Sequence, residues 1–378
     1  MDEGITQECV DCFERYQSKF DDQYFTVSEL EPDQVSITKV YNNNEAKVKW
    51  IAFKYEKLVK SNPSIDVNGQ EYSTEEVSQG SYLVFWVSEE GGILEGLHTI
   101  YWSGWLSLKG PFDGVLLSAV SLDTNSGLFP LAVCICGKET QDSWEWFLSS
   151  LKVYLNYLEG RNLTFISDRQ NGVIAALEIH FPFAQRRYYA RHIYADFKFT
   201  YKGDHYKKLF WRAARSSNIF DFKACMEEIA LINPAAKNWL LDIHPQHWSR
   251  YSYDPVIRCD HITNNMTEAF NSMLSTHRVA SYLDLLEFIR IIVMRKFNDI
   301  KEECSSWSSV LPPRVHIKIL KHSKESRTLT MIATRNMVYE LIGACGVYAV
   351  KLREYNCACG SWQVSGIPCC HAMATINH

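Results

Sequence analysis

Apolar residues recur at two different spacings along the chain, and the changes of spacing mark its elements. Val48, Ile51, Ala52, Tyr55 and Leu58 stand at helical intervals within 45–60. A polar stretch with Pro63, Gly69 and Gly80 follows and reads as a linker. Residues 82–107 are rich in Trp, Tyr and Gly and show little period of either kind. From Gly114 the pattern sharpens. Two apolar runs, 114–123 and 128–136, flank the turn signal Thr-Asn-Ser-Gly, which predicts a β-hairpin. A helix is expected over 142–158, capped by Asp142 or Ser143, with Trp146, Leu151 and Leu155 on its apolar face.

Beyond it, 163–168 is a short apolar strand ending in a carboxylate, and 171–181 a helix. Residues 185–197 begin as a strand and turn helical, and several helices follow between about 205 and 300. Asn264, Asn265 and Thr267 can cap the helix that carries Glu268. Residues 281–297 are strongly helical, Pro312 and Pro313 break the pattern, and 335–352 returns to short strand-like pieces before a Cys-rich tail. Hairpin, helix, strand, helix is the order of a mixed α/β (α+β) fold with a partly antiparallel sheet.

Composition narrows the class. With 46% hydrophobic and 22% charged residues over 378 positions, the chain can bury a core. No apolar run is long enough for a membrane span, and the acidic, polar start lacks a signal-peptide core, so no membrane association is expected. Twelve cysteines are too few for a disulfide scaffold, and in a reducing compartment their clustering points to metal. The net charge of −5 conceals an asymmetry: 8 Lys/Arg face 19 Asp/Glu in residues 1–100, against 11 and 4 in 161–215. The basic segment interleaves Arg186, Arg187, Arg191, Lys198, Lys202, Lys207, Lys208, Arg212 and Arg215 with Tyr188, Tyr189, Tyr194, Phe197 and Trp211. Such a mixture can grip phosphates and stack on bases, with Arg186, Arg187, Arg191, Lys207 and Lys208 as candidate contacts. It is equally the composition of a solvated helix face over an aromatic core.

The tail carries the most specific chemistry. Cys357-Ala-Cys359, a nine-residue spacer, then Cys369-Cys370-His371 offer four ligands suited to tetrahedral Zn²⁺: Cys357, Cys359, Cys369 and His371. Gly360, Gly366 and Pro368 supply turns, a helix over 371–377 can present His371, and the Cys370 side chain points away. Ligand atoms around one zinc should lie within about 4 Å of one another.

This tail resembles the SWIM zinc finger, including its Trp362-Gln363 and Gly366-Ile367-Pro368 spacer. Upstream, LKGPFDGVLLSAVSLDTNSGLFPLAV, DSWEWFL, FISDRQNGV, RHIYADFK, LFWRAAR and NNMTEAFNSML resemble, in order, the blocks of plant Mutator-like element (MULE) transposases. Residues 34–64 and 108–378 are covered by the likeness. It implies an RNase H-like transposase core with a helical insertion, plus a small C-terminal zinc finger. The implied layout is an N-terminal remnant region over 1–64, a linker or divergent segment over 65–107, the core with its insertion over 108–300, a connecting region over 301–350 and the finger over 351–378.

Family chemistry is two-metal phosphoryl transfer on DNA, with three carboxylates holding paired Mg²⁺ or Mn²⁺. Asp168 matches the second acid and Glu268 the third; taken alone, Asp168 could be a helix cap and Glu268 a solvated residue. The first acid is missing: the register places Gly104 there, with Trp105 and Ser107 at the family's Gly and His, and neither Asp113 nor Asp123 is an obvious substitute. Tyr189 stands where the family often has Cys before His192, and Gln34 and Ser36 replace the ligands of an N-terminal zinc knuckle, leaving Cys9 and Cys12 without partners. The resemblance thus implies a zinc-binding, transposase-derived protein of the nucleus that binds DNA or another nucleic acid without cleaving it. The alternatives are an active transposase or a SWIM-mediated protein-interaction module.

Overall fold

The computed structural model describes residues 83–86, 100–109, 113–123, 125–155, 163–262, 265–280, 282–307, 309, 311–334, 336–344 and 346–377. The helix expected over 45–60, the linker after it, and Cys9, Cys12, Gln34 and Ser36 lie outside these residues.

Six strands build the main sheet: β1 (Leu83–Trp86), β2 (Ile100–Lys109), β3 (Asp113–Leu122), β4 (Leu128–Cys136), β5 (Thr164–Ser167) and β6 (Gln185–Tyr188), in the order β1-β4-β3-β2-β5-β6. The predicted hairpin is β3–β4, paired antiparallel with Leu122 opposite Leu128. All nine β4 side chains are buried. Because strand side chains alternate between faces, the sheet is covered on both sides there, and the sequence reads as a continuous apolar run.

Residues 100–107, within the segment expected to be linker or divergent, form most of β2, which pairs antiparallel with β3 and parallel with β5, so this strand lies inside the sheet. Its mixed pattern, with Ser103 and Gly104 buried but Trp105 and Ser107 exposed, explains why periodicity failed to mark it.

Helices cover the sheet. α1 (Gln141–Tyr154) starts one residue earlier than expected, and its cap is Thr140 rather than Asp142 or Ser143. Thr140 Oγ1 accepts from the Ser143 backbone N–H, and Ser143 Oγ accepts from the Thr140 N–H, which satisfies two otherwise orphaned donors. α1 packs on β4 and on α2 (Asn171–His180), with Trp144, Phe147, Leu148 and Leu151 fully buried.

The chain then leaves the sheet for a helical unit with its own core: α3 (Ala190–Thr200), α4 (Asp204–Arg215), α5 (Ile219–Ile232) and α6 (Pro234–Asp242). At its centre Phe210 stacks on buried Trp248, with centroids 5.4 Å apart. α7 (Asn265–Met273) returns to the sheet against β2, β3 and β4, followed by the long α8 (Tyr282–Ser306).

α9 (Pro313–Ser326) leads to a four-stranded antiparallel sheet of β7 (Thr330–Ala333), β8 (Val338–Gly343), β9 (Gly346–Lys351) and β10 (Asn356–Cys357). Two short helices, α10 (Ser361–Ser365) and α11 (Cys370–Ile376), close the chain. Among the described residues no helix is long and apolar enough to cross a membrane.

Candidate functional site

The C-terminal cluster is assembled by turns. Tyr355, Gly360 and Gly366 all adopt positive φ (52°, 77° and 73°), reversing the chain before β10, after Cys359 and after α10. Cys369 then caps α11, whose first turn carries His371. One ligand atom each from Cys357, Cys359, Cys369 and His371 falls within a sphere of mutual distances no greater than 4.8 Å. His371 Nδ1 lies 3.7 Å from Cys357 Sγ and 3.9 Å from Cys369 Sγ, close to the separation of two ligands on one zinc; the widest pair exceeds the expected 4 Å. Hydrogen bonds from the Cys357 and Cys369 thiols lower the pKa of the Cys359 thiol. Cys370 is half-exposed and stands outside the cluster. Three soft sulfurs and one imidazole are the donor set of a closed zinc site.

Support comes from residues that spacing alone did not single out. Gln363 clamps the first ligand's backbone: its Nε2 donates to the Cys357 carbonyl at 2.8 Å, and its Oε1 accepts from the Cys357 N–H at 3.3 Å. Trp362 is buried in the small apolar core of this unit. His322, on α9, contacts the Pro368 carbonyl through Nδ1 at 2.6 Å and so steadies the turn into Cys369.

A second constellation surrounds the middle of β2, where the shorter β5 ends. The parallel register pairs Ile100 with Thr164 and Trp102 with Ile166. Carried two residues further, it sets Gly104 level with Asp168, just beyond the C-terminal end of β5. α7 docks on the same strand: Asn271 Nδ2 donates to the Trp105 carbonyl at 3.1 Å. A Cβ on Gly104 would lie 2.3 Å from Thr267 Cγ2, so the Thr267 methyl fills the space beside Gly104.

Tyr189 ties these pieces together. Its backbone N–H donates to the Ser167 carbonyl at 3.0 Å. Its hydroxyl donates to the Ser103 carbonyl at 2.7 Å and lies 3.2 Å from Thr267 Oγ1. One fully buried residue therefore touches the immediate predecessors of positions 104, 168 and 268. Burial pushes the phenol pKa far up, and the Asp168 and Glu268 charges push it further. The hydroxyl stays protonated and available to donate.

The two acids have different company. Asp168 Oδ1 accepts from the Gln170 N–H at 3.3 Å, but the cap of α2 is Gln170, whose Oε1 accepts from the Val173 N–H. Glu268 is exposed, and Arg191 donates to both its oxygens at 2.9 and 2.7 Å. Thr267 lies within α7 and bonds Tyr189, so it does not cap that helix. Burial raises the pKa of Glu139, whose Oε1 accepts from Trp144 Nε1–H at 3.1 Å, and the Asp168 charge adds to the rise. Among the described residues the Cys/His set is the one group of three or more potential ligands drawn together.

The basic candidates divide. Arg187 cannot meet a phosphate: it is 2% exposed, lies 3.7 Å from the Tyr253 ring centre, and donates to the Cys259 carbonyl at 2.9 Å. Its place in β6 faces the helical unit rather than solvent, a burial that charge count could not reveal. Arg186 is paired with Glu178, and Arg191 with Glu268. Lys207 and Lys208 are exposed on α4 and line a groove of about 1110 Å³. Of the interleaved aromatics, Tyr189 and Phe197 are core residues, while Tyr194 and Trp211 are half-buried.

Two family models match the chain. Residues 108–196 match the MULE transposase domain, and residues 347–378 match the SWIM zinc finger. No match was found among curated proteins. The chain therefore carries a match to the MULE transposase domain and, towards its C-terminus, one to the SWIM zinc finger.

Proposed function

We propose that this pairing makes a zinc-binding, transposase-derived protein that binds DNA or another nucleic acid and does not cut it. Cys357, Cys359, Cys369 and His371 hold the zinc, and its chemistry there is structural, since four protein ligands leave no open position for substrate. The division is into an RNase H-like core, a helical insertion formed by α3–α6, and the finger. The core assignment is supported by β2, β3 and β4 forming an antiparallel meander while β5 and β6 add in parallel beyond β2.

The observation that carries the non-catalytic reading is the packing at Gly104. The position level with Asp168 has no side chain, and the Thr267 methyl occupies the adjoining space. Asp168 and Glu268 are the remaining acids of the family's three. Two carboxylates, one of them ion-paired to Arg191, can hold a single Mg²⁺ or Mn²⁺ weakly. They do not supply the negative oxygens that a pair of ions needs to stabilise both attacking and leaving oxygens. Nucleic-acid contact falls to exposed cations, chiefly Lys207 and Lys208, with Arg186 and Arg191 engaged by carboxylates. A nuclear location follows from the transposase origin.

Metal analysis of the purified chain should give one zinc per molecule, and Cys359→Ala should abolish it. Incubation with Mg²⁺ or Mn²⁺ should leave DNA carrying candidate terminal repeats neither nicked nor joined. Metal-dependent cleavage that Asp168→Ala removes would overturn the non-catalytic reading.

A further inference from the structure

The groove beside α4 has the zinc finger as its other wall. Lys207, Lys208, Trp211 and Arg215 line it from α4, while Tyr348 and His371 line it from the C-terminal unit. Residues 207, 208, 211 and 215 fall on one face of a helix. Lys207, Lys208 and Arg215 are exposed, and none of them has an ion-pair partner among the described residues. Arg215 lies 5.1 Å from the centre of the Trp211 ring. Arg212, by contrast, is held by Glu228 and Cys225. Of the carboxylates that share the lining, Asp221 is bonded to Asn218 and Glu325 lies 3.9 Å from Lys321. Asp204 stands at the start of α4.

The far wall is fixed to the insertion rather than tethered to it. A Cβ on Gly360 would lie 1.9 Å from the Ser217 carbonyl oxygen, so the finger's backbone touches the α4–α5 connection directly. Val364, on α10, is buried within the insertion's own apolar cluster. The Tyr348 ring packs on the His371 ring, with centroids 4.4 Å apart, so an aromatic surface and a zinc ligand form one side of the groove.

We propose that this groove seats one strand of nucleic acid, with Lys207, Lys208 and Arg215 on its phosphates and Tyr348 and Trp211 against its bases. Zinc in the finger then sets the affinity, because it holds the wall that carries Tyr348 and His371. The inference rests on the nucleic-acid-binding reading above and adds the place, the strandedness and the dependence on zinc. A basic track beside aromatic rings is the surface that grips unpaired strands, whose bases are free to turn onto the rings. A groove of about 1110 Å³ takes a few nucleotides of one strand.

The test is fluorescence anisotropy with the full zinc-loaded chain and a labelled mixed-sequence single strand of about 12 nucleotides, within the usual footprint of such grooves, titrated at several salt concentrations against the matching duplex. Each phosphate contact contributes about 0.7 to the slope of log K against log salt for single strands, so Lys207→Ala, Lys208→Ala and Arg215→Ala together should flatten it by about 2. Tyr348→Ala should weaken strand binding at least about five-fold while zinc content stays at one per chain. Gly360→Ala, which forces the finger off Ser217 and strains the turn after Cys359, should weaken strand binding as well. If the wild-type chain binds neither strand nor duplex, the nucleic-acid reading itself fails. If it binds but the three-residue variant keeps its slope, or Tyr348→Ala with zinc retained keeps its affinity, the groove is the wrong place. Tighter binding of duplex than of strand overturns the proposal as well.

Discussion

Restoring a carboxylate at position 104 is the sharpest perturbation of the transposase-type constellation, because the structure makes Gly104→Asp destabilising rather than restorative. The new Cβ would sit 2.3 Å from Thr267 Cγ2, where ordinary contact begins near 3.4 Å, so something must move by roughly 1 Å. Gly104 is buried in β2, between β3 and β5, which leaves little room for the strand to yield. Overpacking of this kind costs about 1–3 kcal/mol. Displacing Thr267 also endangers its 3.2 Å hydrogen bond with the Tyr189 hydroxyl, worth about 1 kcal/mol. A carboxylate confined beside Asp168 adds like-charge repulsion. A total near 3–5 kcal/mol should lower the melting temperature by roughly 5–15 °C.

Thermal melts of Gly104→Asp, Thr267→Ser and the double variant form the assay. Serine keeps Oγ1 and deletes the obstructing methyl, so the double variant should regain most of the overpacking cost. That recovery is a coupling energy of at least about 1 kcal/mol. Strict additivity, or a Gly104→Asp protein as stable as the parent, would refute the packing argument. Mg²⁺-dependent cleavage of DNA by Gly104→Asp would refute the expectation that the variant is destabilised rather than restored.

Other expected outcomes follow from single contacts. Tyr189→Phe should cost about 1–3 kcal/mol in denaturant melts, because it strips the buried Ser103 carbonyl of its donor while leaving the ring in place. Arg187→Ala should destabilise by about 2–4 kcal/mol through lost packing on Tyr253 and an unpaired Cys259 carbonyl, yet leave the salt slope of nucleic-acid binding unchanged. Cys359→Ala should bring zinc content to zero and strip amide-exchange protection from α10 and α11, since metal binding supplies the finger's folding energy. The fifth outcome concerns pH. Burial lowers the pKa of His247, so its folded value lies below its unfolded value near 6.5. The unfolded chain takes the proton first, and this contribution is present above about pH 6.5 and lost as pH falls through the folded pKa. His247→Gln should flatten stability across that window in calorimetry.

Two parts of this protein were legible from local pattern. The β3–β4 hairpin declared itself because continuous apolar runs around Thr-Asn-Ser-Gly are what a strand buried on both faces requires. The finger did so because ligand identity and spacing in residues 357–371 constrain a tetrahedral site almost completely, and the geometry added the clamp of Gln363 on Cys357 and the support of His322. Helix periods served for α1 and α2, though the cap fell to Thr140, since a reciprocal bond with Ser143 satisfies more donors than either residue first expected there.

What tertiary structure alone decided lies in contacts between distant segments. β2 belongs in the sheet because it finds β5 some 60 residues later, not because its own residues alternate. Arg187 is a core cation because β6 turns it beneath Tyr253, although its neighbours in sequence made it look like part of a phosphate-binding face. Tyr189 reads as one more aromatic in a basic stretch. Its role exists only where strands from 103 and 167 and the helix from 267 meet, because hydrogen bonds across 86 and 78 residues leave no periodic trace in the sequence.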